Sequence, residues 1–193
     1  MDNDKTYRSL KTIAIVLTLA WVGWSVYDGF GRDASPAVQA YAAANRFFDD
    51  GQYRQAIESY AEALKLSPDM LDARRGQARA LIQLGELRQA LAIYNEVIEK
   101  DPDFAGAWAN RGIIHDRLGE YREAIRDYEK AIALDERVTD GPGWLTRLLR
   151  NETRRPPTFR DRAQYLKAQL AKPASERVLR VPELDAAQRP FRK

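Results

Sequence analysis

The hydrophobic pattern of this 193-residue chain changes rhythm along its length. Thr12 to Tyr27, TIAIVLTLAWVGWSVY, contains no charged side chain and no polar stripe. At about 1.5 Å per residue this run makes a helix of roughly 24 Å, slightly short of a bilayer core of about 30 Å. Lys11 can snorkel at one end, and Trp21, Trp24, Tyr27 and Phe30 crowd the other, where an aromatic belt would sit. The pattern predicts a membrane-spanning anchor over 12–30, after an N-terminal stretch 1–11 and before a short linker 31–36. A cleaved signal peptide competes with it, because Lys5, Arg8 and Lys11 form a basic lead-in. Its weakness is the cleavage site: the suitable small residues end at Ala20, inside the apolar run, or at Ala40, well beyond it. A buried core helix fits poorly, since the segment is apolar all round and ends in DGFGRDASP.

From residue 37 the rhythm becomes helical and repeats itself. GQYRQAIESYAEALKLSPD, starting at Gly51, returns 34 residues later as GELRQALAIYNEVIEKDPD and after 34 more as GEYREAIRDYEKAIALDER. The period divides the chain into units 37–70, 71–104 and 105–138. Glycine recurs at the fifteenth position, as Gly51, Gly85 and Gly119, where a left-handed residue can end one helix and reverse the chain. Ala56, Ala90 and Ala124, then Ala63, Val97 and Ala131, keep two antiparallel helices close. Tyr60, Tyr94 and Tyr128 recur between them, large enough to wedge against a neighbouring pair. Pro68 and Pro102 mark the handover to the next unit, and Glu136 replaces proline in the third.

Period and pattern resemble the tetratricopeptide repeat, over 102 of the 193 residues. The family's early tryptophan appears only as Trp108, and its eighth-position glycine only as Gly112. The resemblance implies an all-α, three-repeat solenoid, since a single pair of amphipathic helices cannot bury its apolar faces alone. Ser35-Pro36 opens the array well, as serine caps and proline suits the first helical turn. Capping helices are expected over 139–172. One is WLTRLLR, with Trp144, Leu145, Leu148 and Leu149 on one face; a second opens at Thr158, with Phe159, Ala163, Leu166 and Leu170 on its apolar stripe. Residues 173–193 read as a basic, extended tail.

Charge adds a division of labour. Residues 37–138 carry 14 basic and 18 acidic groups, whereas residues 139–193 carry 13 basic and 6 acidic. An acidic body joined to a basic tail suggests docking of the tail on the repeats, or a surface for something anionic. There is no cysteine, which excludes disulfides and thiolate sites. No phosphate loop, metal-ligand spacing or nucleophile motif is present, and the single histidine, His115, falls where Phe47 and Leu81 stand in the other units. It reads as a packing residue, and the chain reads as non-catalytic, with no cofactor and no small-molecule substrate. The tail has few aromatics to interleave with its charges, so nucleic acid is not an expected partner either.

Positions 2, 5, 9 and 12 of each first helix form one stripe, which the family resemblance places on a concave, ligand-binding face. It reads Val38, Tyr41, Asn45, Phe48; Asp72, Arg75, Arg79, Ile82; Gly106, Ala109, Ile113, Asp116. The candidate partner-binding residues are Tyr41, Asn45, Phe48, Arg75, Arg79, Ile82 and Ile113. Arg75 and Arg79, one turn apart, could grip a carboxylate; alternatively Arg75 pairs with Asp72 and Arg79 is solvated. The set departs from the family's carboxylate clamp for chaperone C-termini, which wants lysine at the position of Tyr41. With three basic residues before the apolar run and only Arg32 close behind it, the positive-inside rule puts the repeats across the membrane. The expected protein is a single-pass bacterial inner-membrane scaffold with a periplasmic body that binds a protein or peptide. A cytoplasm-facing adaptor for a membrane enzyme complex is the alternative.

Overall fold

Glycine sets the fold's corners. The computed structural model describes residues 2–32, 35–140, 157–182 and 190–191. Gly51, Gly85 and Gly119 have φ of 75°, 79° and 83°, and each turn is closed by a backbone bond such as Glu120 N to His115 O at 2.8 Å. A side chain would be strained there, so glycine at the fifteenth position fixes where each first helix stops. Between these corners lie six helices of equal length: α2 (Pro36–Asp49), α3 (Tyr53–Leu66), α4 (Leu71–Leu84), α5 (Leu87–Lys100), α6 (Ala105–Leu118) and α7 (Tyr121–Leu134). Ser35 Oγ accepts the Val38 N–H at the start of α2, with Pro36 in the first turn.

Each helix packs on the next, and first helices also touch across units, α2 on α4 and α4 on α6. Ala44, Ala56, Ala63, Ala78, Ala90, Val97, Ala124 and Ala131 are all fully buried, so the recurring small residues are where the helices close on one another. The three tyrosines fill what remains. The Tyr60 ring occupies the space a Cβ on Gly76 would need, so it wedges into the following repeat, and its hydroxyl donates to Asn45 Oδ1 at 2.7 Å. Tyr128 lies against Gly112 and stacks on Phe159 with ring centroids 5.5 Å apart. Burying a large side chain is worth roughly 1.5–3 kcal/mol, so these rings are major contributors to each repeat interface.

A short 3-10 turn, Glu136–Thr139, follows α7. The array is closed by α8 (Phe159–Leu170), which packs on α7 and buries Ala163 and Leu166. It opens with a capping box: Thr158 Oγ1 accepts the Asp161 N–H, and Asp161 Oδ2 accepts the Thr158 N–H at 2.9 Å. The expected helix Trp144–Leu149 lies outside the described residues. A second 3-10 turn, Ala174–Glu176, leads into extended backbone.

The N-terminal helix, α1 (Asp2–Arg32), starts well before the expected span and takes in the charged stretch ahead of it. Its apolar window is Ser9–Val26, exposed along its whole length. By length and composition this is a helix able to cross a membrane. Trp21 and Trp24 stand exposed near its far end, as an aromatic belt would; the side chains of Tyr27 and Phe30 lie outside the described ones.

Candidate partner-binding groove

The first helices α2, α4 and α6 together carry a recess lined by Tyr41, Asp72, Arg75, Arg79, Phe104, Asn110 and Phe191. Tyr41, Arg75 and Arg79 were expected here from helical spacing; Phe104, Asn110 and Phe191 were not. Asn45 and Phe48 sit half-buried beside it, Asn45 bonded to Tyr60 and Phe48 edge-on to Tyr53 at 5.4 Å.

The two arginines differ. Arg75 donates to Asp72 Oδ1 at 2.6 Å and to Asp101 Oδ2 at 3.2 Å, and its guanidinium lies 4.1 Å from the centre of the Phe104 ring. Local pairing of Arg75 is therefore what the chain adopts, with a second carboxylate added. Arg79 is not solvated. It is 6% exposed, its guanidinium lies 5.3 Å from the Phe48 ring centre, and its Nε has no hydrogen-bond partner among the described residues.

Ile82 and Ile113, expected on the groove surface, are instead fully buried in the main core cluster, against which Leu179 of the tail packs. Helical spacing puts them in one stripe with Arg79, but both are core residues and not open surface. Gly106, Asn110, Ile113 and Arg117 follow one another at i, i+4, i+7 and i+11, a single stripe of α6. The tail meets both ends of that stripe. Near its C-terminal end, Arg180 donates to the Arg117 carbonyl at 2.7 Å. Nearer its start, Asn110 Oδ1 accepts the Phe191 N–H at 2.6 Å, and Asn110 Nδ2 donates to the Phe191 carbonyl at 3.0 Å. Asn110 Nδ2 also donates to the Tyr94 hydroxyl at 2.9 Å. Burial pushes the Tyr94 hydroxyl well above the ordinary tyrosine range, against the opposing pull of Arg79 and of the Asn110 bond.

The stretch Val178–Arg180 is held by α8. Tyr165 donates to the Val178 carbonyl at 2.6 Å, Gln169 Oε1 accepts the Val178 N–H, and Arg162 donates to the Leu179 carbonyl. Arg162 also forms a two-pronged, buried pair with Asp116, at 2.7 and 2.8 Å. Asp116 thus anchors α8 and is not open to a ligand. His115 bridges Glu120 (2.6 Å) and, more loosely, Asp127 (3.7 Å), which is itself paired to Arg111. It belongs to a polar cluster between α6 and α7, not to an apolar packing site as its register suggested. Among the described residues no group of three His, Cys, Asp or Glu side chains is placed to hold a metal.

One signal for Asn110 was present in the sequence: at the sixth position the other units carry Ala42 and Gly76. A buried amide in place of a small residue needs hydrogen-bond partners, and Asn110 finds them in Tyr94 and Phe191.

Comparison with known proteins agrees with this architecture. Two family models described as tetratricopeptide repeat match, one over residues 47–110 and one over 105–137. No curated protein matches. Among solved structures, the chain is similar to the Sgt2 TPR domain from Aspergillus fumigatus, at 20% identity and TM-score 0.54 over 73% of this chain and 87% of that one. It is similar to the first TPR of Spaghetti (RPAP3) bound to HSP90 peptide SRMEEVD, at 23% identity and TM-score 0.51 over 63% and 93%. It is also similar to the TPR2B domain of yeast Sti1 in its pHsp70 complex, at 26% identity and TM-score 0.50 over 60% and 91%. Repeat period, helix pairing and these matches together identify the body of the chain as an all-helical solenoid of tetratricopeptide repeats.

Proposed function

We propose that this protein is a non-catalytic, membrane-anchored scaffold whose repeat groove holds a segment of another protein. One observation carries the reading: at the recess between α2, α4 and α6 the chain already holds a tail residue, Phe191, by both its backbone groups. A surface that binds extended chain through backbone bonds is suited to peptides. Similar repeat domains, one bound to an HSP90 peptide and one in a complex with pHsp70, support the same use of the fold. The exposed apolar face of Ser9–Val26 supports an anchor, because such a surface in water carries a large hydrophobic cost. The excess of basic residues ahead of the span favours a body on the far side of a bacterial inner membrane, where an envelope assembly or chaperone-like role would lie.

The test is site-specific photo-cross-linking in intact cells. A cross-linker in place of Tyr41, at the recess, should capture a defined protein; one in place of Arg126, exposed on α7, should not. Capture from Arg126 alone would put the working face elsewhere.

A further inference from the structure

Asn110 spends both ends of its amide on one residue of the tail, accepting from Phe191 N–H and donating to Phe191 carbonyl. That reads backbone, which any residue presents, so selectivity must come from the side chain. The Phe191 ring lies against Gly106, where an added Cβ would fall 2.6 Å from Cδ1, and against the neighbourhood of Phe104. The recess is thus shaped for a flat ring. Its charge, however, is incomplete. Arg75 is neutralised by two carboxylates, whereas Arg79 is more than nine-tenths buried in the same recess and forms no hydrogen bond or ion pair among the described residues. A guanidinium held at 6% exposure, with its Nε buried and unpartnered, gives up little hydration when an anion arrives, so more of the attraction is expressed as affinity.

We propose that the groove's partner is an extended segment carrying an aromatic residue next to a carboxylate, and that Phe191 is a built-in stand-in which supplies ring and backbone but no anion. The partner wins the site by adding the charge that Arg79 lacks. This inference rests on the groove being the binding face.

The test uses the full chain in detergent and two fluorescein-labelled, C-terminally amidated peptides copying residues 186–191, one extended by glutamate and the other by glutamine. In the Phe191→Ala chain, where the stand-in ring is gone, the glutamate peptide should bind about tenfold or more tighter than the glutamine peptide. The unsubstituted chain should bind both more weakly, because its own Phe191 competes. Arg79→Gln should erase the preference between the peptides, with helical circular dichroism confirming the fold. The peptide comparison itself needs no change at Arg79 and so stands if that variant is unstable. Equal affinity for the two peptides, or equal binding to the Phe191→Ala and unsubstituted chains, overturns the inference. If that happens while cross-linking from position 41 still captures a protein, the groove reading survives and only the partner's chemistry is wrong; loss of both removes the groove reading as well.

Discussion

Gly76 and Tyr94 show what single residues do in this array. A methyl group at Gly76 would enter the Tyr60 ring, which is fully buried and tied to Asn45, so the ring has nowhere to swing. Gly76→Ala gains about 1 kcal/mol of helix propensity but pays overpacking of about 1–3 kcal/mol, so a net loss in urea midpoint is expected. Tyr94 gives a pH dependence. Folding holds its hydroxyl neutral by burial, while the unfolded chain ionises it at the ordinary tyrosine value of 10.0. Above that pH the folded state keeps a proton that the unfolded state has lost, so stability falls as pH rises through 10 and beyond. Tyr94→Phe should flatten this alkaline limb by up to about 1.4 kcal/mol per pH unit, read from urea midpoints between pH 8 and 11. Arg79 carries the lesson about legibility at this scale. Its position in the stripe was readable from spacing, but its burial was not, because the Phe48 ring beside it and the Phe191 that shares its recess come from outside its own repeat.

Among the elements, α8 depends on two local devices with different strengths. Thr158→Ala removes the capping box and should cost about 1 kcal/mol. Arg162→Ala takes the paired guanidinium away from buried Asp116, which keeps the Tyr128 hydroxyl at 3.3 Å, and should cost about 3–5 kcal/mol, read as a urea midpoint. Limited proteolysis should cut the Arg162→Ala chain first within 159–182, since the carbonyl of Leu179 loses the same donor. The repeats were legible because everything that makes them is local: a positive-φ glycine at a fixed place, small residues at helix crossings, a tyrosine between. The Thr158 cap was legible for the same reason. The pairs Asp116–Arg162 and Asn110–Phe191 join residues 46 and 81 apart, and no local signature announces them. Two hints were present: a basic tail after an acidic body, and an amide at Asn110 where the other units carry Ala42 and Gly76.

For the whole molecule, the division is between α1, with its exposed apolar window, and a body that buries its own apolar faces. The full chain should remain in the membrane fraction after carbonate washing, while residues 34–193 should be soluble and strongly helical without detergent. A shorter product released from the membrane would instead mark the apolar run as a cleaved leader. A C-terminal alkaline phosphatase fusion should be active if the body lies outside the cytoplasm; an inactive one would place it on the inner face. The contact between Asn110 and Phe191 also has a consequence in time. Chains are made from the N-terminus at about 5–20 residues per second, and repeats whose contacts are local fold as they emerge. The groove is therefore finished several seconds before its own plug has been synthesised (about three to ten, at that rate). If the groove is the partner's seat, a newborn molecule offers it empty, while a mature one must first release its own Phe191.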